Sequence, residues 1–540
     1  MARLVVMALS GSIALLAMLL CAGQYASIVS AYSLLGSSRS LRQHVLGYDE
    51  VRSNKSADEV WDIRYHMGGN GPWIRKTHGL VTSDLAAPEG WVHMLELFQH
   101  IQQANVTLNG SLAFANDWDF FMKDPSDRLE NLVATGPHAG TLLAFGTGVK
   151  MRTRYENLLE HAILSNQTSL WASGSKRVVE TASYFAAGLF GLDWESQAHL
   201  HIIPETEDRG GDTLTGGKTC FKYLHNADDF GRQYGYRRWN EWREAYLPSI
   251  VQRLQVHNPE IDFTASELYA MQELCGFETI AKGTSEWCDV FTHKEWLQFE
   301  YARDLLHYYR TEARFRALGT TLEIANWRDP SIRNGFDTNN TREYFPLMLT
   351  SSVHANLFFL SHQGPGNPYS TSIGWLFLEA TAKLLQQGPG VGTLFFSFMH
   401  DGDIIPMLTT LGLLTPEKHD LPTTHIPHGR SWRTSDLVSM GGRIIFERLV
   451  RGEPKMCWDH SEYGYPNHVY CTPSTQEHFV RINVNDGIVA LPGCDSGPGR
   501  SCPLEQFLQR VRLKGEETGD FREVCGLSKT AKAGIDFLHQ

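Results

Sequence analysis

The sequence has no excess of positive charge: 48 Lys and Arg stand against 60 Asp and Glu, a net charge of −12. A nucleic-acid partner would call for a basic face or stripe, so that class of function is excluded. A locally basic pocket for a small anion is not. Long apolar runs are almost missing. Residues 5–22 (VVMALSGSIALLAMLLCA) form one, and no other stretch reaches spanning length, which excludes a polytopic membrane protein. No two cysteines have Cys-x-x-Cys spacing, which argues against a structural zinc site. Internal repeats and low-complexity tracts are also missing.

What remains is an ordinary globular composition, 42% hydrophobic and 20% charged. The 540 residues suffice for two or more cores, or for one large domain with a lid. Residues 1–31 read as a secretory signal peptide, with Arg3 before the apolar run and small residues after it; the alternative is an uncleaved signal anchor. Eight cysteines follow the signal region, an even number that suits an oxidising compartment. Eight allow 105 connectivities. The nearest pairs are Cys275–Cys288, Cys457–Cys471 and Cys494–Cys502, which leaves Cys220 with Cys525. Sequons at Asn54, Asn105, Asn109, Asn166 and Asn339 would be usable on the same route, giving a secreted glycoprotein.

The apolar run Leu394–Met399 reads as a strand and stops abruptly at His400-Asp401-Gly402-Asp403. Ile404, Ile405, Met407, Leu408, Leu411 and Leu414 then recur at helical spacing. A strand handing over to a helix through a polar cluster is where α/β folds place a ligand crevice. Alone, His400-Asp401 reads as a loop plus a helix N-cap. A second such turn is Ala172-Ser173-Gly174-Ser175-Lys176-Arg177, ahead of the helical VVETASYFAAGLFG. The N–H groups of a helix start attract anions, and Arg177 adds a bidentate donor; taken alone, it is a capped helix with a solvated arginine.

Elsewhere, helices are expected over 94–104 and, as one long element, 139–164. The block from 226 to about 310 is strongly helical, its last helix opening on a Thr292-x-x-Glu295 capping box; another helix covers 371–389. Arg443–Arg448 reads as a strand, and FVRINVNDGIVALPGC as a hairpin turning at Asn485-Asp486-Gly487.

Six segments together resemble the histidine acid phosphatases, the fungal acid phosphatase and phytase branch of the histidine phosphatase superfamily. They are HMGGNGPW (66–73), NGSLAFANDWDFF (109–121), ASGSKRVVETASYF (172–185), FTHKEWLQFEYARDLLHYY (291–309), FMHDGDIIPMLTTLGL (398–413) and RINVNDGIVALPGCDSGPGRSCPL (481–504). The resemblance implies an α/β fold, a mixed central sheet flanked by helices with an inserted all-α domain. The α/β part would comprise 45–225 and 390–528, and the helical part 226–389. It implies hydrolysis of phosphomonoesters through a phosphohistidine intermediate, with no cofactor and no metal. Arg177 matches the family's downstream phosphate-binding arginine, His400 its phosphate-contacting histidine, and Asp401 its proton donor.

The sequence departs from the family pattern twice. The nucleophile motif, Arg-His-Gly-x-Arg-x-Pro, is missing; no Arg-His-Gly occurs anywhere. Pro88-Glu89-Gly90 runs directly into Trp91-Val92-His93-Met94-Leu95, where the motif should stand. His66, His78 and His93 lie nearby, but none has the motif's arginines, so no nucleophile is identified. Conversely, residues 311–363 are an insertion of about fifty residues without periodicity, longer than a compact domain tolerates as loop. One piece missing and one piece extra together read as misplaced exon boundaries. The alternative is a pseudoenzyme that binds phosphate without turnover. A membrane partner is expected only if the N-terminal run stays attached.

Overall fold

The computed structural model describes residues 88–121, 140–226, 230–311, 367, 369–414, 420–438, 441–451, 455–459, 467–471 and 476–540. Thus His66, His78, the segment 311–363 (beyond Thr311) and the N-terminal apolar run lie outside the described residues. No described helix is long and apolar enough to cross a membrane.

Helix α1 (Pro88–Ala104) begins six residues before the expected start. Proline's fixed φ suits the first helical position, and Met94, Leu97 and Ile101 form a buried stripe behind it. The expected helix over 139–164 is two, α2 (Gly140–Arg154) and α3 (Glu156–Leu164). The break falls at Tyr155, whose backbone leaves helical space (φ −119°, ψ 32°) and whose hydroxyl donates to Glu447 at 2.8 Å. A tertiary hydrogen bond thus overrides the local helical pattern.

Strand β1 (Ser169–Ser173) is the centre of a three-stranded parallel sheet. Helix α4 (Lys176–Phe190) follows it, then β2 (His199–Ile203) on one flank of β1; β3 (Phe396–Phe398) lies on the other. α4 buries Val178, Ala182, Phe185, Ala186 and Leu189 beneath the sheet. Its other neighbour is α2, and the two helices touch backbone to backbone. A Cβ on Gly148 would lie 2.1 Å from the Phe185 carbonyl, and one on Gly188 2.1 Å from the Phe145 carbonyl. Gly188→Ala is therefore expected to destabilise the protein by about 1–3 kcal/mol, the usual cost of overpacking, measured as a lowered urea midpoint at unchanged slope.

The helical layer consists of α5 (Gln233–Gln255), α6 (Ala265–Lys282) and α7 (His293–Thr311). α7 opens on the expected capping box: Thr292 N–H donates to Glu295 at 2.7 Å, and Glu295 N–H to the Thr292 hydroxyl at 3.4 Å. Segment 420–438 straps across α7. The Tyr309 and Tyr301 hydroxyls donate to the carbonyls of Leu421 and Pro422, both at 2.7 Å. Arg430 meets fully buried Asp304 at 2.9 Å, and Thr434 N–H donates to the same carboxylate at 2.8 Å.

Helix α8 (Ser370–Gln387) packs on α9 (Asp401–Thr410) and on α10 (Leu504–Thr518). The antiparallel strands form a sheet of their own: β4 (Ile444–Arg451) pairs with β7 (Glu477–Val484), which also pairs with β8 (Gly487–Val489) and β9 (Cys502–Pro503). β5 (Lys455–Asp459) and β6 (Asn467–Cys471) make a separate hairpin. The β7–β8 turn sits at Asn485 and Asp486 with φ of 50° and 70°, as the Asn-Asp-Gly signal predicts. Three of the four expected cysteine pairs are disulfides among the described residues: the near pairs Cys275–Cys288 and Cys494–Cys502, and the remaining long-range pair Cys220–Cys525. Cys457 and Cys471 lie on the paired strands β5 and β6.

Candidate active site

The three parallel strands end on the same side, and each delivers part of one site. β1 ends at Ser173 and runs through Ser175 into α4, placing Arg177 in its first turn. β3 ends at Phe398 and runs through His400, the N-cap of α9, placing Asp401 and Asp403 in that helix's first turn. β2 ends at Ile203, two residues before Glu205. Arg177, His400 and Asp401 consequently line one cleft outside the carboxyl ends of the strands. Two helix N-termini converge there, each with partial positive charge.

The hydrogen bonds fix the arrangement. His400 Nε2 lies 2.8 Å from Glu205 Oε1, and His400 Nδ1 lies 3.3 Å from Arg177 Nη2. The same Glu205 oxygen accepts from the Ser175 hydroxyl at 2.7 Å and from the Ser175 N–H at 3.1 Å. Burial pushes the Glu205 carboxyl up, but the hydrogen bonds it accepts from His400 and from the serine hydroxyls outweigh it and hold the group well below the usual carboxylate range.

The opposite wall comes from α7, from the short helix Gly216–Thr219 and from the turn at 232. Arg303, His307 and Arg310 recur at i, i+4 and i+7 on α7 and reach the cleft with Lys218 and Arg232. With Arg177 the cleft gathers five cationic side chains, in a chain whose net charge is −12. His307 is almost fully buried; burial first, then Arg303 and Arg310, drive it well below the usual imidazole range, so it is neutral. Asp403 shifts the opposite way: burial, then the charges of Glu205 and Asp401, raise it well above the usual range. One cleft therefore combines an imidazole pushed toward its neutral form, a carboxyl pushed toward its protonated form and fixed cations, an arrangement suited to binding an anion and moving protons around it.

The sequence reading singled out Arg177, His400 and Asp401. It missed Glu205, Lys218, Arg232, Arg303, His307, Arg310 and Asp403. The α7 triplet carried a signal, polar residues on one face of an otherwise aromatic helix, but solvated charges show the same spacing. His93, beside the missing motif, is 41% exposed and pairs with Glu96 at 2.9 Å on the surface of α1. Among the described residues, no group of three or more His, Cys, Asp or Glu side chains is placed to hold a metal ion.

A family model, the histidine phosphatase superfamily (branch 2), matches residues 75–485. The chain belongs to this family. Similar proteins include the acid phosphatase PHO1 of Komagataella pastoris, 27% identical over 522 residues that cover 92% of this chain and 93% of that protein. The phytase PHO112 of Candida albicans is 25% identical over 534 residues, covering 94% and 97%. Among solved structures, the phytase from D. castellii shares the fold, with a TM-score of 0.65, 22% identity and coverage of 91% and 94%. The family is one of phosphomonoester hydrolases, and its members similar to this chain are acid phosphatases and phytases.

Proposed function

We propose that the gene product is a secreted acid phosphatase that hydrolyses phosphomonoesters through a phosphohistidine intermediate. Arg177 and His400 hold the transferring phosphoryl group, and Asp401 protonates the leaving oxygen. The observation that carries this reading is the convergence of Arg177, His400 and Asp401 on one cleft with four further cations. Those cations exceed what one phosphate dianion needs, which favours a multiply phosphorylated, phytate-like substrate. Export is supported by the disulfides and by the sequon residues Asn105, Asn109 and Asn166, all exposed.

The nucleophile belongs to the motif missing after Gly90. Two open strand edges favour a lost strand: among the described residues β3 pairs only with β1, and β4 only with β7. Phe398 of β3 and Ile445 of β4 nevertheless pack against one hydrophobic cluster. Sequencing the transcript across codons 90–95 and 310–364 tests this. The expected transcript encodes Arg-His-Gly-x-Arg-x-Pro and lacks 311–363; a transcript identical to this chain at both places overturns it. The second reading, favoured by the missing nucleophile alone, is a pseudoenzyme. It requires that this chain bind phosphate and release none from an aryl phosphate at acid pH.

A further inference from the structure

Glu205 has no role in the scheme above, yet it is the most heavily bonded carboxylate at the cleft. It reaches across the sheet: it leaves β2, passes the N-cap of α4 beyond β1, and ends on the imidazole beyond β3. The donor rules then fix the ring. A guanidinium has no acceptor, so the nitrogen facing Arg177, His400 Nδ1, is the one that accepts. Nε2 must therefore carry the hydrogen, donated to Glu205.

We infer that Glu205 is a positioning residue that makes phosphate binding proton-linked: it holds His400 with its Nδ1 lone pair toward the cleft, and His400 takes up a solvent proton there when the anion arrives. The anion draws Arg177 to itself, and Nδ1 gains a hydrogen to donate to an anion oxygen. The imidazolium so formed has the Glu205 carboxylate directly behind it. Atoms balance: one proton moves from solvent to Nδ1, and Nε2–H stays on Glu205.

The other groups around the ring set the sign. Arg177 on α4, Lys218, Arg232, and Arg303 and Arg310 on α7 oppose an imidazolium in the empty cleft, and neutral His307 adds no charge. Asp401 and Asp403 lie on its own helix, and burial with nearby carboxylates pushes Asp403 toward its uncharged form. An anion reverses the balance, because it offsets the cations. Affinity for the anion therefore rises as pH falls, levelling once the empty site is also protonated.

The inference rests on the reading that this cleft binds phosphate. The test uses sulfate, a dianion whose own charge does not change near neutrality, added to the full chain in buffers of different ionisation enthalpy. Calorimetry is expected to show uptake of about one proton per sulfate near pH 7, the titration of one imidazole. Glu205→Gln, whose amide oxygen still accepts from Nε2–H, should keep the tautomer in nitrogen-15 spectra. It should nonetheless abolish the uptake and weaken binding by about 10–100-fold, the worth of one charged hydrogen bond. His400→Asn should also abolish the uptake. Sulfate binding with no proton uptake, or uptake that persists in either variant, overturns the inference while the phosphate site stands. No sulfate binding at all overturns the site reading and the inference with it.

Discussion

In the motif-bearing protein, Asp401→Asn is expected to lower phosphate release by a factor of about 10²–10⁴, the usual contribution of a positioned general acid. The side chain sits in the first turn of α9 beside the N-cap His400, where it can reach an oxygen of a phosphoryl group held by Arg177. Asparagine keeps the shape and removes the transferable proton. The loss should therefore depend on the leaving group. A nitrophenolate leaves without help, so an aryl phosphate should suffer least and an alkyl phosphate most, with KM little changed in both. Arg177→Ala should behave differently, raising KM as well as lowering kcat, because the guanidinium holds the anion before and during transfer. Steady-state rates on the two esters separate these outcomes. An equal loss on aryl and alkyl phosphates would remove Asp401 from the donor role.

The second large effect lies away from the cleft's floor. Asp304→Ala is expected to cost about 3 kcal/mol at neutral pH, because it leaves the buried Arg430 charge with only Glu300, at 3.5 Å, and the Thr434 N–H without its acceptor. Arg430 and Asp304 are 5% and 0% exposed at a contact of 2.9 Å. Burial raises the Asp304 carboxyl to about 6, while Arg430, Glu300 and the Thr434 amide pull in both directions. The folded value thus lies above the ordinary aspartate value of about 3.9, so folding takes up a proton here. This group's contribution to stability therefore increases as pH falls from above 6 toward 4. Chemical denaturation at neutral and at acid pH should show a smaller penalty for the variant Asp304→Asn in acid than for Asp304→Ala. Equal stability of wild type and Asp304→Ala at neutral pH would contradict the buried-pair argument.

The parts legible in the sequence were those written locally. The Thr292 capping box, the Asn485-Asp486-Gly487 turn and the strand ending at His400-Asp401 are short patterns whose local conformation follows from the residues themselves. The disulfides followed from proximity, and the longest-range one by what remained. Tyr155 shows the opposite case: nothing nearby predicts a helix break that depends on Glu447, far along the chain. Glu205 was invisible for the same reason. In Pro204-Glu205-Thr206 it is an unremarkable loop carboxylate, and its meaning comes only from parallel register, which sets the end of β2 beside β1 and the end of β3 beyond. Site residues contributed by strand ends were therefore half legible. Those in a motif stood out, and those known only by their neighbours did not.

The Cys220–Cys525 bridge spans 305 residues. During synthesis Cys220 emerges long before its partner, and at about 5–20 residues per second it waits roughly 15–60 s. Cys275, Cys288, Cys457, Cys471, Cys494 and Cys502 all appear in that interval, Cys275 and Cys288 first, and each is available as a wrong partner until it is paired. The order of oxidation therefore decides the yield of native protein. The short-range bridge must close first, and Cys220 must stay reduced or be reshuffled until the last helices arrive.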